Sequence, residues 1–285
     1  MNVSIEYFAR LSKAIIKLIA PPILLLPVEV FRNIRDEPRF EYAPLGWETP
    51  FQVMSDAWQA PQVASSREKE WHMLLETCAS TAAFGADRVK GQDLIEHNRV
   101  MSFCSVVARC AENKKRIKLI DWGGGTGDYY KKAQSIIPNI EIEYHCKELP
   151  LTTEIGKKLN SEVVWHDDED SWMGATYDMV FSSGAFYYVK DWKGILKKLA
   201  SVGAKYIYLT RTPVVENDNQ SFVIMQRSSF EYKALLHILN KLEIVMFLEE
   251  QGYTLEREFL TGEVPVIKNS PCYVESKGWL FVQNL

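Results

Sequence analysis

The sequence lacks three features that would each assign it to a broad class of protein. Its five cysteines, at positions 78, 104, 110, 146 and 272, contain no CxxC pair and form no even set, which favours a reducing, cytoplasmic compartment over a disulfide framework. It has no basic excess, because the net charge is −4 and the pI about 5.8, and this argues against a nucleic-acid partner. It has no unbroken apolar run long enough to span a bilayer. The 285 residues, 47% of them hydrophobic, instead suit one large domain with an extension.

The first 38 residues differ in composition from the rest. On a helical projection, one face carries Arg10, Lys13 and Lys17, and the opposite face carries Ile5, Phe8, Ile15 and Ile19. The apolar stretch that follows is interrupted by Pro21, Pro22 and Pro27, and no small-residue cleavage site follows it. We therefore predict an amphipathic segment over residues 1–45. Two interpretations stay open: peripheral contact with the anionic inner face of the cytoplasmic membrane through residues 1–30, or packing against the protein's own core or a second subunit.

Residues 46–115 are predicted to form a helical cap or lid. A capping box at Ser65–Glu68 is followed by apolar residues at helical spacing, which indicates a first helix of about four turns. A second helix is predicted from about 93 to 111, with Val100, Phe103 and Val107 on one side. We expect both helices to precede and cover a sheet.

From residue 116 onward, strand and helix patterns alternate. The predicted strands cover about 117–122, 140–146, 162–166, 177–182 and 204–210, and the predicted helices about 128–136, 152–160, 190–202 and 231–251. Gly252 is expected to end the last helix, and 253–260 and 278–282 to form two closing strands. The alternation predicts an α/β fold: a Rossmann-like, doubly wound, mostly parallel seven-stranded sheet over 116–285, with an N-terminal helical extension.

The stretch Ile120–Gly127, of sequence IDWGGGTG, combines local pattern with chemistry. Its glycines lie between a predicted strand and helix, where backbone can approach a ligand closely and helix N–H groups can point at it. A dinucleotide fingerprint that begins at Gly123 requires glycine at position 128, which is Asp128. A P-loop requires a Gly-Lys-Ser/Thr ending, which is absent. Asp121 precedes the glycines by two residues, and this suits a ligand with positive charge and ribose hydroxyls rather than pyrophosphate.

Two further acidic positions follow the next strands. Glu148 lies about twenty residues beyond the glycines, where a carboxylate at the tip of the neighbouring strand can accept both ribose hydroxyls. Asp167 and Asp168 follow the third strand, where an acid could accept the adenine amino group. The alternative for this pair is a solvated acidic loop that continues through Glu169 and Asp170.

These residues resemble the class I S-adenosylmethionine-dependent methyltransferases. The match covers about 116–285 and comprises, in order, Asp121–Gly127, Glu148, Asp167 or Asp168, the strand 177–182 and the turn Gly252–Tyr253. The resemblance implies S-adenosylmethionine as the cofactor. The residues expected to bind it are Asp121, Gly123, Gly125, Gly127, Glu148, Asp167, Asp168, Ser183 and Gly184.

More narrowly, the chain looks like a methyltransferase group found in O-antigen and other surface-polysaccharide gene clusters. The matching stretches are KELP at 147–150, SGAFYY at 183–188 and LTRTP at 209–213, followed by Gln226. That group usually has Ser-Gly-x-Leu-x-Tyr in the middle stretch, and one departure here is Thr210, where asparagine is expected. This likeness extends upstream to Trp47.

The narrower resemblance implies an O-methyltransferase that acts on a sugar or sugar acid of a surface polysaccharide, such as lipopolysaccharide O-antigen, or on its lipid-linked precursor. Two alternatives share the cofactor motifs: a small-molecule methyltransferase of secondary metabolism, and a non-catalytic module that binds the cofactor. A homo-oligomer is left open.

Methylation of a hydroxyl requires a group that removes its proton. The candidates beyond the strand ends are Tyr187, Tyr188, Arg211 and His145, with Arg211 suited to a carboxylate or phosphate on the acceptor. The structural alternatives are a salt-bridged or helix-capping Arg211 and a His145 that is merely hydrogen-bonded in place. We predict no metal site, since no His, Asp or Glu cluster has ligand spacing, although the acids at 167 and 168 leave a divalent ion open.

Overall fold

The computed structural model describes residues 40–42, 94–227 and 233–284, all of which belong to one compact unit, Phe40–Leu285. Of the amphipathic segment predicted over 1–45, only residues 40–42 are described. The rest of that segment and the helix predicted after Ser65 lie outside the described residues. None of the helices in the described ranges is both long and apolar enough to cross a membrane.

The described helices are α1 (Leu94–Cys110), α2 (Asp128–Ile136), α3 (Pro150–Leu159), α4 (Trp192–Ser201) and α5 (Lys241–Glu250), with a 3-10 turn at Phe186–Tyr188. The strands are β1 (Phe40–Tyr42), β2 (Arg116–Trp122), β3 (Glu141–Lys147), β4 (Val164–His166), β5 (Met179–Ser183), β6 (Tyr206–Val215), β7 (Phe222–Arg227), β8 (Lys233–Asn240), β9 (Tyr253–Leu260), β10 (Ile267–Lys268) and β11 (Glu275–Gln283). Most predicted elements from 93 onward are present within a few residues of their predicted bounds.

The predicted seven-stranded sheet is confirmed, with the order β4-β3-β2-β5-β6-β11-β9. The first five strands are parallel, and β11 lies antiparallel between β6 and β9. Since β11 is antiparallel to both of its neighbours, β9 runs in the same direction as β6. The carboxyl ends of β2 to β6 and of β9 therefore lie at the same edge of the sheet.

Four strands that the sequence analysis did not predict extend this sheet to eleven. The end of β6 pairs with β8 through Val214–Leu239, and β7, β1 and β10 follow in turn; we call β1, β7, β8 and β10 the accessory strands. Because β11 also pairs with Val214, β8 must use the opposite edge of β6, which is the edge that β5 occupies up to Thr210. The accessory strands thus continue beyond the carboxyl end of β5.

The predicted helix over 231–251 is wrong in its first half, where residues 233–240 form strand β8. Leu235 and Leu236 fall in separate apolar clusters, and Leu236, Ile238 and Leu239 join the core that underlies α4 and α5. A short apolar run fits a helix and a doubly buried strand equally well. Pairing with β7 decided in favour of the strand.

The core lies in two layers, one on each face of the sheet. Residues of α1 and α2, such as Phe103 and Tyr129, pack with Leu119 and Phe181 on one face. Residues of α4 and α5, such as Leu196 and Leu248, pack with Val180 and others on the opposite face. These two layers hold β2 and β5 rigidly, and the loops after these strands carry the site.

Candidate functional site

The site lies where the order of the sheet reverses. From β2 the chain moves outward through β3 to β4, and it then returns to β5 on the other side of β2. In open α/β sheets, ligands bind outside the carboxyl ends of the strands at such a switch point. The glycine turn after β2 and the Ser183–Ala185 loop after β5 face each other here.

The glycine turn has a backbone that other residues adopt only with strain. Gly123, Gly125 and Gly127 have φ values of +74°, +60° and +75°, in the left-handed region that favours glycine. A Cβ atom on Gly123 would lie 2.3 Å from Cβ of Ala185, so the two loops are in close contact. The Gly123 N–H donates to the Lys147 carbonyl at 2.8 Å, which holds the turn against the end of β3.

Asp121 is fully buried beneath this turn. Its Oδ2 accepts a hydrogen bond from the Tyr144 hydroxyl, and its Oδ1 has no hydrogen-bond partner among the described residues. Burial raises the pKa of Asp121 to about 8, against the opposing effect of the Tyr144 hydrogen bond and with a further contribution from the nearby charge of Glu148. A buried acceptor without a partner and with raised proton affinity fits a ligand that brings positive charge or N–H donors.

Glu148 lies at the tip of β3, beside the turn, as predicted. Its Oε1 accepts from the Gly125 N–H at 3.3 Å, and its Oε2 accepts from the Leu149 N–H at 2.6 Å. Its own N–H donates to the His166 carbonyl at 3.0 Å. The side chain is half-buried, so the carboxylate is held in place and remains reachable.

Asp167 and Asp168 follow β4 at the same edge, and both are exposed. Oδ1 of Asp168 accepts from the backbone N–H groups of Ser171 and Asp170 at 2.7 and 2.9 Å, and these bonds hold its pKa below the usual range. No hydrogen bond to the Asp167 carboxylate occurs in the described part of the chain. Of the two acids, Asp168 therefore has its carboxylate engaged within its own loop.

On the other side of the switch point, Ser183 and Gly184 close β5. The Ser183 hydroxyl lies 2.9 Å from that of Tyr129 on α2. Gly184 has a φ of +68°, and its N–H donates to the Thr210 carbonyl at 3.0 Å. This loop is therefore tied both to the helix after the glycine turn and to β6.

The two tyrosines that follow are stacked, with ring centroids 4.9 Å apart. The buried Tyr187 donates its hydroxyl to the Arg211 carbonyl at 3.2 Å, and burial raises its pKa well above the ordinary value. Tyr188 is half-buried and donates to Oε1 of Gln226, on β7, at 2.8 Å. The accessory strands thus contribute to the site.

Arg211 lies in the middle of β6, directly after the last residue that pairs with β5. Its φ of +54° is unusual for a residue other than glycine. Its Nε and Nη2 donate to the carboxylate of Glu263 at 3.2 and 3.3 Å. Burial alone would lower the pKa of Arg211, but the charge and hydrogen bonds of Glu263 raise it above the ordinary value. The arginine is permanently charged and already paired.

His145 is not brought together with Tyr187, Tyr188 and Arg211, because β2 and β5 separate its strand from β6. Its Nδ1 lies 2.9 Å from Nε2 of His166, and its Nε2 lies 3.1 Å from the carboxylate of Glu143. Burial lowers the pKa of both histidines. This arrangement corresponds to the structural alternative, a histidine hydrogen-bonded in place.

Two residues of the site, Tyr144 and Glu263, were not predicted from the sequence. Tyr144 could have been inferred, since its position two residues before Cys146, the ladder partner of Asp121, puts it on the same face of β3. Glu263 follows β9 without any local motif, and no sequence signal pointed to it. Among the described residues, no group of three or more His, Cys, Asp or Glu side chains is arranged to hold a metal ion.

No protein-family model and no curated protein matches the sequence. Among solved structures, a magnesium protoporphyrin IX methyltransferase from Synechocystis PCC 6803 with bound S-adenosylhomocysteine has a TM-score of 0.50 and 14% identity, over 82% of this chain and 99% of that chain. A 1,6-didemethyltoxoflavin N1-methyltransferase from Burkholderia thailandensis has a TM-score of 0.45 and 10% identity, over 76% and 90%. A sugar N-methyltransferase from Streptoalloteichus sp ATCC 53650 has a TM-score of 0.44 and 14% identity, over 70% and 91%. The likeness to the Synechocystis structure shows that this chain has the class I methyltransferase fold.

Proposed function

We propose that this chain is an S-adenosylmethionine-dependent O-methyltransferase whose acceptor is a hydroxyl of a sugar or sugar acid. The observation that carries the cofactor assignment is the cluster at the switch point: a left-handed glycine turn with the unpaired Oδ1 of Asp121 beneath it and the Glu148 carboxylate beside it.

The residues present fit such a cofactor in shape and in charge. The turn from Gly123 to Gly127 would lie against its amino-acid portion, Glu148 would accept the ribose hydroxyls, and Asp167 would face the adenine. When bound, the cofactor supplies an electrophilic methyl group on a positively charged sulfur. The carboxylates at the site favour such a cation electrostatically, and a bound cation would in turn favour the ionised form of Asp121.

The acceptor would approach from the side of β5 and β6. Rate acceleration in a displacement comes mainly from holding the acceptor oxygen about 3 Å from the carbon it attacks. We propose that Tyr188 packs against the acceptor ring and that Arg211 holds an acidic substituent on it. Tyr187 keeps its proton at neutral pH and donates it to the Arg211 carbonyl, so its proposed role is to position Arg211.

The assignment to a surface-polysaccharide precursor rests on the resemblance of the KELP, SGAFYY and LTRTP stretches to methyltransferases of such gene clusters. A lipid-linked acceptor would also give a reason for the basic amphipathic face within residues 1–30.

Isothermal titration with S-adenosylmethionine, followed by a methyl-transfer assay against polysaccharide precursors, tests the proposal. We expect binding by the wild type and a loss of about 10- to 100-fold in Glu148→Ala, because hydrogen bonds to a charged group are lost. Glu256→Gln, on β9, is the matched acidic control and should bind normally.

Absence of binding by the wild type would rule out the cofactor assignment. Binding without turnover of any acceptor would favour a non-catalytic module. Turnover of small aromatic metabolites but not of sugars would indicate that the protein is a small-molecule methyltransferase of secondary metabolism.

A further inference from the structure

Arg211 is held in a strained conformation by contacts on both sides. The Thr210 carbonyl accepts from the Gly184 N–H at 3.0 Å, and the Arg211 carbonyl accepts from the Tyr187 hydroxyl at 3.2 Å. A non-glycine residue in the left-handed region persists only where its surroundings impose it, and such residues are concentrated at functional sites. Here the left-handed residue lies within β6, between the part that pairs with β5 and the part that pairs with β8.

One of the three guanidinium nitrogens of Arg211 does not bind Glu263. Nε and Nη2 bind Glu263, whereas Nη1 has no hydrogen-bond partner among the described residues. Nη1 lies 3.4 Å from the position that a Cβ atom on Gly184 would occupy. The free donor therefore lies against the loop after β5, on the side where the acceptor would meet the cofactor.

The backbone of Glu263 is fixed by hydrogen bonds on both sides, whereas the described residues bind its carboxylate only through Arg211. The Glu263 carbonyl accepts from the Ser276 N–H at 2.8 Å, and the Glu263 N–H donates to the Thr261 hydroxyl at 3.3 Å. The two side chains of the ion pair are 34% and 31% exposed. The Glu263 carboxylate is therefore in reach of water, which can hydrate it when another carboxylate replaces it on Arg211.

We infer that Glu263 is a built-in competitor for the carboxylate of an acidic acceptor: it holds Arg211 in the free protein and yields the guanidinium when a sugar acid binds. The inference rests on the acceptor side of the proposed function and narrows the acceptor class to a sugar that carries a carboxylate. In this exchange the carboxylate of the sugar acid replaces that of Glu263 on the planar guanidinium of Arg211. The number of ion pairs is unchanged, and Glu263 becomes hydrated. A neutral sugar offers no such replacement and leaves the pair closed.

The test is a titration of the full-length protein with two matched probes, methyl β-D-glucuronide and methyl β-D-glucoside, with and without saturating S-adenosylhomocysteine. Wild type should bind the glucuronide more tightly than the glucoside. Glu263→Gln, which removes the competing charge, should bind the glucuronide about two- to fivefold more tightly than wild type. Arg211→Met should lower the affinity for the glucuronide at least about tenfold. Arg211→Lys should lower it by less, because lysine keeps the charge but lacks the planar guanidinium.

The matched control is Glu256→Gln, in the middle of β9, which breaks a different Arg–Glu pair, the more exposed pair with Arg109. It should leave both probes unaffected. A Glu263→Gln protein that binds the glucuronide no better than wild type, or a wild type that binds neither probe, would overturn the inference. Strengthened binding of inorganic phosphate alone would also overturn it, since the recognised group would then not be a carboxylate.

Failure of S-adenosylhomocysteine itself to bind is a separate result, which contradicts the proposed cofactor. The probe titrations without it still decide the role of Glu263. Circular dichroism of each variant identifies a loss of folding.

Discussion

At the scale of single residues, Asp121 links the stability of the fold to its proposed ligand. The folded protein keeps the Asp121 proton up to about pH 8, whereas an ordinary aspartate releases it near 3.8. Between these values the folded state binds more protons than the unfolded state, so this group lowers the free energy of unfolding as the pH rises. The buried Asp121 carboxyl therefore lowers the free energy of unfolding at neutral pH.

We predict that Asp121→Asn removes this pH dependence. The difference in free energy of unfolding, wild type minus variant, should fall by about 1 kcal/mol per pH unit between about pH 5 and about pH 7. Urea unfolding at several pH values measures it, and taking the difference cancels the contributions of His145 and His166. A difference that stays constant with pH would mean that Asp121 is ionised in the folded protein throughout this range.

At Gly125, the backbone conformation and the space inside the turn determine which residues can be accommodated. We predict that Gly125→Val abolishes measurable S-adenosylmethionine binding, because a β-branched side chain both opposes the φ of +60° and fills the turn. Gly252→Val is the control, since Gly252 has a φ of +86° but open space around it at the end of α5. Both variants should lose about 1–3 kcal/mol of stability, and calorimetry should show normal cofactor affinity only in the control. Equal affinities would refute the assignment of the turn.

At the scale of elements, the segment 233–250 shows how one apolar stretch divides into a strand and a helix. Asn240 is the boundary: its side-chain oxygen accepts from the Leu242 N–H at 2.8 Å, and its amide nitrogen donates to the carbonyls of Asn217 and Asn219. It therefore caps α5 and ties β8 to the loop after β6.

We predict that Asn240→Ala lowers the free energy of unfolding by about 2 kcal/mol, because a helix cap and two partly buried hydrogen bonds are lost together. The control is Asn219→Ala, whose exposed side chain makes one bond, to the Glu216 carbonyl, and which should cost less than about 0.5 kcal/mol. Urea denaturation compares the two. If both substitutions lowered the free energy of unfolding equally little, the boundary between β8 and α5 would be set by the pairing of β8 with β7 alone.

At the scale of the whole molecule, the sequence of residues 1–38 leads to a separate prediction. Removal of residues 1–20 should release the protein from anionic phospholipid vesicles and leave S-adenosylmethionine affinity unchanged. Replacement of Arg10, Lys13 and Lys17 by glutamine should weaken vesicle binding on the order of 100-fold, because each basic residue near such a surface contributes about 1 kcal/mol. Vesicle co-sedimentation measures both. If the truncated protein unfolds, the segment 1–20 packs against the core of the protein and does not bind the membrane.

Much of the sheet, and the arrangement of the glycine turn beside Glu148, could be predicted because the signals are local. The bounds of α2 and β9 are confirmed to the residue, since a glycine turn marks the start of one and Gly252 precedes the other. The accessory strands were missed because their pairing depends on which edge of β6 remains free beyond Thr210. That edge is a property of the assembled sheet and leaves no periodic pattern in the sequence.

By itself, the sequence determined the α/β alternation, the glycine turn after Asp121 and the position of Glu148 one strand away. These features depend on backbone conformation and on the fixed geometry of a strand-helix-strand unit, which neighbouring residues dictate. Only the tertiary structure decided that Arg211 pairs with Glu263, 52 residues away in sequence, and that His145 belongs to a separate network. Contacts between distant segments are selected by packing and by the order of the strands, and a single sequence does not encode them in any local spacing.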